Sequence, residues 1–130
     1  MKIKSYKSTE VNDCREASKI SAIILDELTD YISEGVTTED IDNYCVERIK
    51  KLGGVPAPLF YRGFPKSICT SLNHVICHGI PSKDRKLLEG DILNVDITTI
   101  INGWHGDTSR MYKIGKVPVK ANNLCEVTHQ

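Results

Sequence analysis

Asn102-Gly103 lies between two runs dominated by strand-forming residues, Ile92 to Ile101 and Trp104 to Ile114. Asn-Gly in that setting is the strongest short-range signal for a two-residue hairpin turn, because both central residues must take positive φ. Such a turn fixes the register of everything around it. With Ile101 facing Trp104, counting back sets Asp96 opposite Ser109 and Thr98 opposite Asp107. Asp96 and Asp107 then share one face as diagonal neighbours, about 7 Å apart at the backbone. Asn94, Thr98, His105 and Ser109 lie on that face, with Leu93, Val95, Ile97 and Ile101 on the other. A strand this apolar around Asp96 predicts a buried carboxylate that needs a cation or several hydrogen-bond donors. One reading is a metal ion shared by the two acids. The other is a solvated polar face on which Arg110 or Lys113 pairs the acids across the surface.

Upstream, the apolar period is that of a helix. Val11, Cys14, Ala17, Ile20, Ile24, Leu28 and Ile32 recur at three- and four-residue steps behind Ser8 and Thr9, and Glu10 suits the positive end of the helix dipole. This predicts a helix of about five or six turns, ended by Gly35. Thr37 and Asp40 are spaced as a capping box for a second helix, with Ile41, Cys45, Ile49 and Leu52 as its buried stripe and Gly53-Gly54 at its end. Pro56, Pro58, Gly63 and Pro65 then exclude a helix, Ser67 to Leu72 reads as a strand, and Asn73 to Ile80 as extended chain or loop. From Ala121 to Gln130, Leu124 and Val127 have helical spacing with Asn122 or Asn123 as a cap, but no end signal follows. The chain is expected to stop inside that helix.

A length of 130 residues suits one core. With 17 basic and 17 acidic residues and no block of like charge, no basic face exists for a phosphate backbone. The opening residues lack a leader's apolar run, and no stretch approaches the roughly 20 apolar residues of a membrane span, so a cytoplasmic location is expected. Cys14, Cys45, Cys69, Cys77 and Cys125 are odd in number and never spaced Cys-x-x-Cys, which predicts reduced thiols, mainly in the core. His74 and His78 have ligand spacing for a helix, but on extended chain they stand about 13 Å apart, too far for one ion. By spacing alone each reads as a hydrogen-bonded structural histidine, as do His105 and His129.

Four blocks in order, Phe64-Pro65-Lys66-Ser67-Ile68-Cys69-Thr70-Ser71, Cys77-His78-Gly79-Ile80-Pro81, Gly90-Asp91-Ile92-Leu93-Asn94-Val95-Asp96 and Gly103-Trp104-His105-Gly106-Asp107-Thr108-Ser109-Arg110-Met111, carry a family resemblance. Together with Asn73 they resemble the type I methionine aminopeptidases, pita-bread metallopeptidases, over nearly the whole chain. The resemblance implies an α+β fold, half of a pita-bread (creatinase/aminopeptidase) fold with antiparallel hairpins packed against helices. It also implies that residues 1–130 are the N-terminal portion of a single catalytic domain, with the C-terminal half absent and this portion inactive alone.

The family's activity is removal of the N-terminal initiator methionine from nascent proteins by a water activated between two divalent metal ions (Co, Mn, Fe, Zn or Ni). By resemblance Asp96 binds one metal and Asp107 bridges the pair, while the family's remaining histidine and two glutamates belong to its second half. His78 matches the active-site histidine, which hydrogen-bonds the substrate and the developing charge and binds no metal. Tyr61, Phe64 and Cys69 match the wall of the methionine pocket, where a soft sulfur contact suits a thioether. Pro58 and Phe64 stand where bacterial relatives often have cysteine and tyrosine. The implied partners are nascent polypeptide N-termini beginning with methionine and, as a secondary expectation, the ribosome; no nucleic acid is bound directly, and no membrane. A non-catalytic pita-bread binding module is the alternative, and a metallopeptidase cleaving before proline is a third.

Overall fold

The computed structural model describes residues 5–130. Met1 to Lys4, part of the opening segment read above for a leader, lie outside the described residues.

Helix α1 spans Ser8–Tyr31. Its cap is Lys7 rather than Ser8 or Thr9, because the Glu10 carboxylate accepts the Lys7 N–H at 2.7 Å and closes the first turn one residue earlier. Ile32 takes extended backbone, so the helix ends at Tyr31, and Gly35 sits beyond it in a turn whose N–H donates to the Leu87 carbonyl at 2.8 Å. Ala17, Ile24 and Leu28 of the predicted stripe are buried and are joined by Ser21 and Leu25, whereas Val11 is exposed. Helix α2, Thr38–Lys51, has the predicted reciprocal cap: the Asp40 N–H donates to Thr37 Oγ1 at 3.1 Å, and the Thr37 N–H donates to Asp40 Oδ2 at 2.9 Å. Ile41, Cys45 and Ile49 are fully buried along its inner stripe.

The strands β1 (Val55–Pro56), β2 (Cys69–Leu72), β3 (Ile92–Ile101) and β4 (Trp104–Lys113) form one antiparallel sheet. Asn102 and Gly103 take φ of 50° and 80°, and the β3–β4 pairing has the predicted register, Asp96 opposite Ser109 and Thr98 opposite Asp107. β4 occupies one edge of β3 along its whole length, while β1 and β2 pair with the other edge in succession. β2 begins at Cys69, two residues later than the sequence predicts. The Ser67 and Ile68 N–H groups donate instead to the Asp42 carboxylate of α2, at 2.9 and 3.1 Å, so they have no ladder to join.

One face of the sheet carries the core. Leu93, Val95 and Ile97 pack with Ile24, Leu25, Leu28, Ile41 and Ile49 from the two helices. Polar bonds lock α1 to β4 on the same side. Tyr112 Oη donates to the Leu25 carbonyl at 2.6 Å, and Ser21 Oγ donates to the Gly106 carbonyl at 2.8 Å. A Cβ on Gly106 would lie 2.1 Å from the Ala17 carbonyl carbon, so only glycine lets the helix approach this closely. The opposite face is left free for a cleft.

Helix α3 spans Val119–His129. Pro118, which has no N–H to satisfy, precedes it and accepts the Asn122 N–H at 2.9 Å, so Asn122 and Asn123 lie inside the helix instead of capping it. Cys45, Cys69 and Cys125 are buried, Cys14 is partly exposed and Cys77 exposed, all as free thiols. Among the described residues, no helix is long and apolar enough to cross a membrane.

Candidate metal centre and cleft

The hairpin register alone brings Asp96 and Asp107 to the same face. Each carboxyl lies within the electrostatic reach of the other there. A neighbouring like charge disfavours ionisation of a carboxyl. Asp96 is accordingly held above the ordinary carboxylate range, first by burial, then by the Asp107 charge, with His78 acting in the opposite direction. Asp96 is only half-buried and Asp107 is exposed, which corrects the expectation of a buried Asp96. The helix-side neighbours of Asp96 on β3 are fully buried, but its own face opens onto the cleft.

Neither predicted cation pairs with these acids. Arg110 points to the helix face, donating to the Asp26 carboxylate at 2.7 Å and to the Leu25 carbonyl at 3.2 Å. Lys113 is drawn to α3, where it bonds Asn122 at 2.8 Å and pairs with Glu126. Thr98 Oγ1 instead donates to Asp107 Oδ1 at 3.1 Å.

The cleft over these acids has a volume of about 820 Å³ and is lined by all six residues singled out from the sequence, Tyr61, Phe64, Cys69, His78, Asp96 and Asp107. Cys69 lies directly opposite Asp96 in the β2–β3 ladder. Burial, then the Asp96 charge, pushes its thiol up to about 11, so it is a neutral, apolar wall rather than a thiolate ligand. His78 reaches the cleft on a loop with left-handed backbone, φ 54°. The next residue explains its placement. Gly79 presses against β2, its carbonyl accepting the Thr70 N–H at 2.8 Å, and a Cβ there would lie 2.1 Å from the Thr70 oxygen. His74 is exposed in the turn after β2 and does not line the cleft, so the HxxxH pair is not brought together there.

Two carboxyls on one cleft face, with no lysine or arginine paired to either among the described residues, form an oxygen donor set that fits a divalent ion. Among the described residues no third His, Cys, Asp or Glu completes a metal-binding group. Three cleft residues carry no site role in the sequence analysis. His105, read as structural, lines the cleft across the ladder from Ile100. Thr98 was on the right face by register, and that register was the available signal for its bond to Asp107. Arg62 also lines the cleft, but nothing local in the sequence points to it, since its loop reaches the site only through the fold.

The pattern of metallopeptidase family M24 matches residues 12–130. A methionine aminopeptidase of Rickettsia prowazekii is 48% identical over 129 residues, covering 99% of this chain and 49% of that protein. The crystal structure of the Rickettsia prowazekii enzyme superposes with a TM-score of 0.95 over 98% of this chain and 51% of its own. That of the methionine aminopeptidase from Thermotoga maritima, 31% identical, superposes with 0.94 over 98% of this chain and 51% of its own. The chain thus spans about half the length of the relatives it matches, and it has the expected half of a pita-bread fold. Its matched segment includes every element that builds the cleft, and the chain belongs to metallopeptidase family M24.

Proposed function

We propose that residues 1–130 form the N-terminal portion of a single methionine aminopeptidase catalytic domain, which removes the initiator methionine from nascent chains in the cytoplasm. The observation that carries this reading is that Asp96 and Asp107 share one sheet face and line one cleft, with no lysine or arginine paired to either among the described residues. Asp96 and Asp107 would hold the first protein oxygens of a site for two divalent ions of the Co, Mn, Fe, Zn or Ni class. When bound, such ions activate a water at neutral pH and polarise the scissile carbonyl.

The chain's own residues have distinct tasks in this reading. Thr98 holds one Asp107 oxygen and restrains the carboxyl. His78 presents an imidazole at the cleft to hydrogen-bond the peptide being cleaved and to stabilise charge that develops on it. Tyr61, Phe64 and the neutral Cys69 thiol form an apolar wall suited to an unbranched thioether and keep bulk water from that side. Presentation of the substrate at the ribosome belongs to the same proposal.

The test is methionine release from Met-Ala-Ser by this chain combined with the second half of the Rickettsia prowazekii relative, with Mn2+ present. His78→Ala is expected to lower turnover about 100-fold or more while metal content holds. Asp107→Asn is expected to lose metal and turnover together. A combined protein that takes up metal and releases no methionine would contradict the reading.

A further inference from the structure

We infer that Arg62 is a specificity-determining residue that selects methionyl peptides carrying Asp or Glu downstream of the residue after methionine. The inference rests on the aminopeptidase reading for its substrate and adds a sequence preference to it.

The loop from Ala57 to Pro65 forms one wall of the cleft, and its backbone is unusual. Phe60 and Arg62 both take left-handed conformations, φ 66° and 48°, within three positions. Non-glycine residues adopt that region at a cost, and such positions cluster where ligands are clamped. The loop is closed by its own bonds: the Phe60 N–H donates to the Phe64 carbonyl at 2.8 Å, and the Phe64 N–H donates to the Tyr61 carbonyl at 3.0 Å. The strain is therefore held in place before any ligand arrives. Its consequence is the position of one side chain. The Arg62 guanidinium lies 5.5 Å from the centre of the Tyr61 ring, on the pocket wall, and makes no ion pair among the described residues.

Among the described residues Arg62 is the one lysine or arginine lining the cleft, where the other charged residues apart from the histidines are Asp96 and Asp107. Because Asp96 and Asp107 are unchanged in every Arg62 variant, a comparison of such variants reads the positive charge of Arg62 alone. A guanidinium offers a rigid fork of donors matched to a carboxylate, and stacking on Tyr61 holds that fork in a limited set of orientations. Arg62 and Tyr61 are both exposed, whereas Phe64 is half-buried and Cys69 buried, so the charge lies toward the open side of the cleft. A substrate anchored by its first residue would bring later side chains past it.

The experiment is a titration of the full 130-residue chain with Met-Ala-Asp-Asp and Met-Ala-Lys-Lys amides, read by amide chemical shifts. In Arg62→Gln the ratio of the two affinities is expected to move against the acidic peptide by about threefold, the size of an exposed ion pair. Arg62→Lys should keep part of the preference, and added salt should erode it. Unchanged amide shifts away from the loop check that the variant folds. An unchanged ratio, an equal loss for both peptides, as backbone carbonyl recognition would give, or no binding of either peptide would overturn the inference. Because turnover is not read, failure here leaves metal uptake at Asp96 and Asp107 standing, and failure of metal uptake leaves the ratio standing.

Discussion

Thr98 donates its hydroxyl proton to Asp107 Oδ1 at 3.1 Å, directly across the β3–β4 ladder. The bond restrains the Asp107 carboxyl. Thr98→Val keeps the shape and β preference of the side chain but removes the donor, so Asp107 is free to rotate. Supporting bonds of this kind are worth about 10- to 100-fold in metal affinity. Titration of Mn2+ should show a loss in that range for Thr98→Val and near-native affinity for Thr98→Ser. Equal affinities for the Val and native forms would remove Thr98 from the site.

The pH dependence of the metal-free chain follows from Asp96, whose folded-state carboxyl is raised by burial and by Asp107. A group raised on folding contributes stability that is present below its ordinary range and lost as pH rises through the raised value. Thermal melts of the metal-free chain should therefore fall in midpoint as pH rises from about 4 toward neutrality, relative to Asp96→Asn, which lacks the effect. Glu27, Asp40 and Glu126 are lowered and pull the other way, so the difference between the two proteins is the quantity to follow. A difference that does not change with pH would contradict the raised Asp96 carboxyl.

Asp42 is buried in α2 and accepts the Ser67 and Ile68 N–H groups that lead into β2. Asp42→Ala leaves two amides without partners next to Cys69, at an expected cost of about 2 to 4 kcal/mol in denaturant unfolding. Asp42→Asn retains an acceptor oxygen and should lose less. Equal losses would show that charge rather than the two bonds matters.

The hairpin and its aspartates were legible because a two-residue turn converts sequence spacing directly into facing positions. Thr37 and Asp40 were legible for a similar local reason. The missed features depend on partners far away in the chain. β2 starts at Cys69 because Asp42 has already taken the two preceding amides, and Arg110 misses the acids because α1 offers Leu25 and Asp26 on the opposite face. The degree of burial of Asp96 was misread from its apolar neighbours, which alternate onto the helix side and say nothing about what covers the cleft side. His78 was identified through family resemblance, since its position depends on Gly79 packing against Thr70, a contact that no periodicity encodes.

On this reading Asp96 and Asp107 together hold a divalent ion. Anomalous diffraction at the manganese edge, from crystals of the chain soaked in Mn2+, tests it most directly. The expected result is a peak between the Asp96 and Asp107 carboxylates, lost in Asp107→Asn. Manganese bound only elsewhere would overturn it.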